Sequence, residues 1–405
     1  MPEARDVPPD DVLHVSGTRQ TGKSTLLRRW ASPGRSVLLR MDVESIRAAG
    51  IAGALEAVRS AGLHPEIVLV DDVHLLPDWR DQIDPLNGVR AILAGQHTPP
   101  EGAARVELRP LSFRRFLEAR CPAVLRGLPE PICAGRLLGS AADLRDHLWA
   151  VHRTGRELGQ TWERHLGNFA RRGGYPGVVY GGPAWADYLL AQVVDRALGI
   201  DAPARAPVEQ PALLRRIFCE VARRTGSEIS QGELARDLGA AQPVVGRYLD
   251  HLEGVGLVRE FRRYPVTPSA RVPSKATLTD PGVREAVLRV QADAYDAPLA
   301  ETLVQTALRD RDVEVRFWRD YEKPSDRRSP VQTVSFVLER AGGEALPVQV
   351  SAGPEVAFAD ERALRSFLAR FEAPHGILVT RDTFRVSPDD PVLRVPLREL
   401  LVALA

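Results

Sequence analysis

The sequence is short of lysine, cysteine and net charge. Its 54 basic and 53 acidic residues leave a net charge of +1, so the chain as a whole attracts neither nucleic acid nor an anionic membrane. No apolar run reaches the ~18 residues of a membrane helix, and the polar start MPEARDVPPDD is unlike a signal peptide. The three cysteines, Cys121, Cys133 and Cys219, lack metal-ligand spacing. We therefore expect a cytoplasmic protein with reduced thiols and no membrane partner.

Lysine occurs only at Lys23, Lys275 and Lys323, although the chain is rich in arginine. Arginine evidently serves wherever a cation merely has to be present. A lysine that remains therefore suggests a position where a compact ammonium is needed, which the forked guanidinium does not replace.

Five apolar runs alternate with helical periods in the first 110 residues: VLHVS (12–16), SVLLRMD (36–42), EIVLVDD (66–72), VRAILAG (89–95) and ARVELRP (104–110). Buried strands that alternate with helices predict an α/β domain with a mostly parallel sheet. The pattern then becomes helical as far as the proline-rich APARAPVEQP (202–211), which we interpret as a linker. Mixed α/β character returns over 296–405, and the length predicts two or three domains.

A phosphate-binding motif follows the first predicted strand. GTRQTGKS (17–24) matches G-x-x-x-x-G-K-[ST], in which glycines let backbone N–H groups wrap phosphates and the following helix adds its dipole. Lys23 is predicted to reach the β- and γ-phosphates, and Ser24 to give its hydroxyl to Mg²⁺. The motif therefore predicts an ATP site with Mg²⁺. The predicted nucleotide-binding residues are Gly17, Thr18, Arg19, Gln20, Thr21, Gly22, Lys23, Ser24 and Thr25.

An acidic pair ends the predicted strand IVLV (67–70). Asp71 is predicted to hold Mg²⁺ together with Ser24, and Asp72 to orient the attacking water. Many ATPases of this type carry Glu at the second position, and Asp72 is one methylene shorter. The sequence therefore leaves open that the chain hydrolyses ATP only slowly.

The segments GTRQTGKSTLL, VLVDDVHLLPDW, RAILAG and LRPLSFRRFLEA together resemble a large prokaryotic family of AAA-type ATPases. GGYPGVV (173–179), KATLTDPGVREAVL (275–288) and AETLVQTALRDRDVEVRFWRD (300–320) extend the resemblance over nearly the whole chain. It implies a P-loop parallel sheet with a helical lid, a winged-helix module and a C-terminal α/β domain related to restriction-endonuclease folds. The implied boundaries are 1–115 for the ATPase core, 116–205 for the lid, 206–268 for the winged helix and 269–405 for the nuclease-like domain.

Two further ATPase positions are implied by the resemblance. The strand VRAILAG should end in a polar sensor of the γ-phosphate, a role that Gln96 or His97 would fill. An arginine before the next strand commonly contacts the nucleotide of a neighbouring subunit; Arg105 is placed for this, and an ordinary surface arginine is the alternative interpretation. The partner would be a second copy of the chain or another protein. Lys23, Asp72 and Arg105 are thus the predicted catalytic residues, and Ser24 and Asp71 the predicted metal ligands.

Residues 212–262 carry a helix-turn-helix pattern. Ser230 and Glu233 have the spacing of a capping box, and Gln242-Pro243 begins the next helix. The module would either bind double-stranded DNA or serve as a lid or docking surface, because its third helix is not strongly basic. For DNA, the residues predicted to face the major groove are Gln242, Arg247 and Tyr248, and those predicted to contact phosphate are Arg259, Arg262 and Arg263.

Relatives often carry a metal-dependent nuclease site in the last domain. Here Glu301 holds the first acidic position, but Ser335, Gln349 and Ser351 stand where Asp, Glu and Lys are expected. These side chains are poor ligands for a hard divalent cation. Relocation of a ligand to Glu339 or Glu344 is the alternative. We therefore expect a nuclease-like fold without nuclease activity.

Three functions follow from these patterns. An ATP-dependent switch or regulator, with or without DNA as a partner, is favoured. The alternatives are an ATP-dependent nuclease of mobile-element or defence type and a nucleotide-binding scaffold without turnover.

Overall fold

The computed structural model describes residues 12–83, 86, 88–96, 103–182, 184–265, 274–290, 293–308, 313–320, 332–340 and 343–404. Contacts divide the chain into two compact units. The N-terminal unit comprises the described residues up to Pro110 together with Gln192–Glu209 and Gly254–Gly256, and the remainder forms the C-terminal unit. The four-part division implied by the sequence stays a prediction.

The N-terminal unit is built on a five-stranded parallel sheet. Its strands are β1 (Val12–Gly17), β2 (Ser36–Arg40), β3 (Ile67–Asp71), β4 (Arg90–Gly95) and β5 (Arg105–Leu108), in the order β2-β3-β4-β1-β5. All four pairings are parallel. The predicted α/β domain with a parallel sheet is therefore confirmed.

Helices cover both faces of this sheet. Helix α1 (Lys23–Trp30) packs with Ile92 and Ala94 of β4, whereas α2 (Glu44–Ser60) packs with Ala91 and Leu93 of the same strand. Successive side chains of a strand point to opposite faces, so a strand covered on both sides has to be apolar throughout. This is why the central strands appear in the sequence as continuous apolar runs.

Residues Gln192–Glu209 add a helical segment to the N-terminal unit. Residues Leu189–Val194 and Ala197–Asp201 are π-helical, and the short helix α7 (Ala202–Arg205) follows directly. The proline-rich segment interpreted as a linker is therefore helical up to Arg205. Pro203 lies just past the junction at which the π-helical residues give way to α7, and proline, which has no N–H to donate, occurs at such irregularities of a helix.

The C-terminal unit contains a second five-stranded sheet, of mixed direction. Its order is β13-β12-β11-β10-β9, with β11, β12 and β13 parallel and the other pairings antiparallel. The strands are β9 (Val313–Arg319), β10 (Thr333–Arg340), β11 (Ala345–Val350), β12 (Gly376–Thr380) and β13 (Val392–Pro396). Helices of this unit are α3 (Phe113–Arg120), α4 (Ala141–Arg172), α5 (Pro176–Val179), α6 (Trp185–Tyr188), α8 (Pro211–Arg223), α9 (Gln231–Leu238), α10 (Gln242–Gly254), α11 (Pro281–Leu288), α12 (Ala297–Ala307), α13 (Phe358–Phe371) and α14 (Leu397–Ala403). The last residue of α10, Gly254, belongs to the N-terminal unit.

Helices α8, α9 and α10 adjoin a small antiparallel sheet of order β6-β8-β7. Its strands are β6 (Glu228–Ile229), β7 (Val258–Phe261) and β8 (Ser274–Leu278). The hydroxyl of Ser230 accepts a hydrogen bond from the amide of Glu233, as the capping-box spacing predicted, and Gly239 ends α9 in the left-handed conformation. Among the described residues, no helix is both long and apolar enough to cross a membrane.

Three segments that carried the family resemblance meet in the C-terminal unit. The amide of Leu111, from LRPLSF, donates to the carbonyl of Gly174, from GGYPG, at 2.8 Å. The buried carboxylate of Asp280, from TLTDPG, accepts from the amides of Gly174 at 2.7 Å and Gly282 at 3.0 Å. A buried carboxylate requires such donors, so these signature segments hold the fold together.

Candidate functional site

The predicted site residues other than Arg105 converge at one edge of the N-terminal sheet. Strands β1, β4 and β3 are parallel neighbours, so their carboxyl ends lie at the same edge. The loop after β1 contains residues 17–24, Gln96 follows β4, and Asp71 ends β3. Ligands of open α/β sheets bind at this edge.

The loop after β1 requires glycine at two positions. A Cβ atom on Gly17 would lie 2.0 Å from the backbone oxygen of Leu108. Gly22, with φ of 101°, precedes α1 in the left-handed conformation, which favours glycine. The N-terminus of α1 therefore starts directly at the loop, and its free N–H groups together with those of the loop form a cradle that suits phosphate oxygens.

The only lysine of the N-terminal unit lies inside this loop. The ammonium of Lys23 is 6 % exposed and donates to the carbonyls of Gly17 at 3.0 Å and Thr18 at 2.8 Å. The hydroxyl of Thr21 donates to the same Thr18 carbonyl at 2.8 Å. Burial lowers the pKa of Lys23 to about 8, although the charges of Asp72 and Asp71 oppose the shift.

The predicted metal ligands are brought together. The hydroxyl of Ser24 hydrogen-bonds the buried carboxylate of Asp71. Burial raises the pKa of Asp71, and the bond from Ser24 and the charge of Lys23 act against this rise. A hydroxyl and a carboxylate side by side are the oxygen donors that Mg²⁺ takes in sites of this kind.

Asp72 follows with a backbone in the left-handed region, at φ of 54°. Its charge acts on both Lys23 and Arg19. A non-glycine residue in this conformation is uncommon and occurs more often at functional sites, and aspartate tolerates it better than most.

Asp201 is a site residue that sequence reasoning missed. Its buried carboxylate accepts hydrogen bonds from Nε of Arg19 at 2.8 Å and from Nε2 of Gln96 at 2.5 Å. A second bond comes from Nη2 of Arg19, and Nε2 of His74 lies 3.6 Å away. Burial would raise the pKa of Asp201, but the bond from Arg19 and the other donors hold it well below its usual range.

The remaining predicted positions differ in their placement. Arg105 is exposed at the amino end of β5, opposite His14 of β1, and is therefore not brought to the loop of its own chain. Thr25 is exposed in the first turn of α1. His97 and Lys323 lie outside the described residues.

The predicted nuclease positions form a hydrogen-bonded cluster in the C-terminal unit. The hydroxyl of Ser335 donates to Glu301 at 2.7 Å, and the amide oxygen of Gln349 accepts from the Ser335 amide at 2.8 Å. Buried Lys275 pairs with Glu301 at 2.6 Å. An ammonium thus already neutralises Glu301. The Ser351 hydroxyl accepts from a loop amide, and Glu339 pairs with Arg316.

The prediction that Tyr248 faces a DNA groove is wrong. Tyr248 is fully buried, and its hydroxyl accepts a hydrogen bond from the backbone amide of Gln210 at 2.8 Å. Gln242 and Arg247 of the same helix are exposed, as is Arg262.

The fold and the loop define a P-loop nucleotide-binding domain. Within that class, residues 9–117 match the model of the AAA domain family, and residues 163–294 match a domain of unknown function. The N-terminal part of the chain is thus similar in sequence to AAA domains and has the fold of a P-loop domain. A comparison with curated proteins finds no match.

Two solved structures from archaea are distantly similar. The Walker-type ATPase PABY2304 of Pyrococcus abyssi is 14 % identical, with 70 % of this chain and 92 % of that one covered and a TM-score of 0.35. A signal-transduction ATPase with numerous domains and a tetratricopeptide repeat sensor, PH0952 from Pyrococcus horikoshii, is 11 % identical over 73 % of this chain and 43 % of that one, with a TM-score of 0.20. The assignment therefore rests on the domain match and on the geometry of the site.

Proposed function

We propose that the chain is an ATP-dependent molecular switch or regulator that binds ATP with Mg²⁺ at residues 17–25. The observation that carries the proposal is the buried ammonium of Lys23 inside a loop of backbone amides, next to the Ser24–Asp71 pair. A buried cation among amide donors suits a polyanion, and the adjoining oxygen donors suit its counter-cation.

Each residue of the site has a distinct role in binding or hydrolysing ATP. The amides of the loop and Lys23 bind the phosphates, and Ser24 and Asp71 would hold Mg²⁺, which when bound neutralises charge on the β- and γ-phosphates. Gln96 is the polar residue at the tip of β4, where a γ-phosphate sensor is expected. Asp72 orients the attacking water and accepts its proton.

Turnover distinguishes a switch from a scaffold. We expect the wild-type chain to release phosphate from ATP, and Asp72→Asn to lower kcat by roughly 100-fold with little change in ATP affinity, because the amide cannot accept the proton. Asp81→Asn, which changes an exposed acid of the same unit, is the control and should leave both values unchanged. A steady-state phosphate-release assay measures this. Turnover no faster than without enzyme would favour the scaffold.

The affinity for ATP should depend on pH through Lys23. Its pKa of about 8 means that the ammonium of the free protein is mostly charged at pH 7 and mostly neutral at pH 9. The triphosphate prefers the charged form, so binding takes up a proton above pH 8 and weakens as the pH rises. Calorimetry with Mg²⁺ present should give a Kd about tenfold higher at pH 9 than at pH 7. Equal values at both pH values would exclude Lys23 as the titrating ligand.

We extend the proposal to the other modules. The order of α8, α9, α10 and the sheet β6-β8-β7 supports a winged helix, although β8 (Ser274–Leu278) lies beyond the predicted bounds 206–268. The exposure of Gln242, Arg247 and Arg262 leaves double-stranded DNA as a candidate partner. Repeating the phosphate-release assay with duplex DNA tests this, since a partner should change the rate. An arginine finger at Arg105 requires a second copy of the chain. A nuclease is not proposed, because Lys275 is paired with Glu301.

A further inference from the structure

Asp201 collects its donors from three separate segments of the ATP-binding edge. Arg19, from the phosphate loop, and Gln96, from the tip of β4, donate hydrogen bonds to it, and Nε2 of His74, from the segment after Asp71 and Asp72, lies 3.6 Å away. The backbone amide of Gln96 donates to Nδ1 of His74 at 3.3 Å, and Nε2 of the same ring faces Asp201.

These donors are also the ones that a terminal phosphate would use. A guanidinium fork binds a carboxylate and a phosphate through the same paired N–H groups, and an amide NH₂ donates to either anion. Two anions cannot share the largely covered guanidinium of Arg19 without strong repulsion between their charges. A γ-phosphate that takes Arg19 and Gln96 therefore has to displace Asp201.

We infer that Asp201 competes, as an internal anion, with the γ-phosphate of ATP for Arg19 and Gln96. This inference rests on the proposed ATP site. ATP displaces Asp201, whereas ADP, which lacks the third phosphate, leaves it in place. The residue is thus a positioning residue that makes the site distinguish ATP from ADP.

Displacement has a local consequence. A buried carboxylate that has lost its donors is unstable, so Asp201 has to move towards water together with its segment. That segment is π-helical from Ala197 to Asp201 and then forms one turn of helix, which ends at Arg205. The Arg205 guanidinium lies close to Gly254, the last residue of α10. Release of 197–205 therefore removes a contact at the end of α10.

The variant Asp201→Asn tests the competition, because it removes the charge and keeps the shape. Calorimetry should compare Mg²⁺ with ADP and Mg²⁺ with the β,γ-imido analogue of ATP. We expect the analogue to bind at least about tenfold more tightly to the variant than to the wild type, a change of about 1.4 kcal/mol, and ADP to change by less than about threefold. Asp42→Asn is the matched control, since Asp42 is exposed and acts on Arg19 through its charge alone.

Several results would overturn the inference. If the analogue bound more weakly to Asp201→Asn than to the wild type, Asp201 would hold Arg19 and Gln96 in place for the ligand. If ADP and the analogue gained the same affinity, Asp201 would not distinguish ATP from ADP. If Asp42→Asn gained as much affinity for the analogue, the effect would come from the loss of any negative charge near Arg19 and not from competition by Asp201. If neither nucleotide binds the wild type, the ATP site itself is wrong and the inference falls with it, a result that calorimetry separates from the others.

Hydrogen exchange on the wild type tests the same inference without a variant that has to fold. The amides of residues 197–205 should exchange faster with the imido analogue and Mg²⁺ than with ADP and Mg²⁺. Peptides from β12 (Gly376–Thr380), in the C-terminal unit, serve as the internal reference. Equal exchange of 197–205 with both nucleotides, measured at saturation, would contradict displacement.

Discussion

Replacing Lys23 with alanine is expected to weaken the binding of ATP at least about 100-fold, a loss of about 3 kcal/mol. The effect should be large because the ammonium is buried in the loop, where little water screens its attraction to phosphate. Its present partners are two carbonyls of the same loop, from which it can turn to a ligand. Isothermal calorimetry with ATP and Mg²⁺ measures the change.

Arg28→Ala provides the control for this variant. Arg28 lies on the same helix, carries the same charge and is exposed. Its loss should change the ATP affinity by less than about threefold, because exposed charges are screened by solvent. An unchanged affinity of Lys23→Ala, with the fold intact by circular dichroism, would refute the assignment of the loop.

The second large effect is expected at Gly174. A Cβ atom there would lie 2.0 Å from the oxygen and 2.8 Å from the nitrogen of Leu111, both backbone atoms that cannot rotate away. Alanine should therefore break the Leu111–Gly174 hydrogen bond and disturb the Asp280 carboxylate beside it. We expect the free energy of unfolding of the C-terminal unit to fall by about 3 kcal/mol. Urea-induced unfolding, followed by tryptophan fluorescence, measures this.

Gly167 offers the matched substitution in the same unit. It lies in α4, exposed, and a Cβ atom there meets nothing within 4 Å. Gly167→Ala should therefore stabilise the unit by about 0.5–1 kcal/mol, the helix preference of alanine over glycine. If both variants shifted the urea midpoint equally, the contact with Leu111 would not be the cause.

The part of the site that is local in sequence was predictable. Residues 17–24 are consecutive, so the spacing of glycine, lysine and serine alone indicates the loop. Asp71 was also accessible, because the ends of parallel strands meet at one edge of a sheet. The continuous apolar runs predicted the parallel sheet, because strands that are buried on both faces are apolar throughout.

Asp201 could not be found in this way. It lies 182 residues from Arg19 in the chain, on a helical segment without a motif. Only the folded chain brings the two together. The prolines of 202–211 suggested a linker, because proline usually ends a helix and sequence alone does not show where an irregular helix accommodates one.

Tyr248 was misplaced for another reason. A tyrosine has an apolar ring and a polar tip, so its residue type fits both a DNA contact and a buried position with one hydrogen bond. The hydrogen-bond donor that allows Tyr248 to be buried is the backbone amide of Gln210. It lies 38 residues away and cannot be inferred from helical spacing. The partner of Lys275 could likewise not be inferred from the sequence, since Glu301 lies on α12 and reaches it only in the fold.

A crystal structure of the chain with the β,γ-imido analogue of ATP and Mg²⁺ tests the central claim most directly. We expect phosphate oxygens within hydrogen-bond distance of the amides of 18–24, the Lys23 ammonium on the phosphates, and the metal ion at Ser24 with Asp71 facing it. A nucleotide bound elsewhere, or a metal ion held without Ser24 and Asp71, would contradict the account.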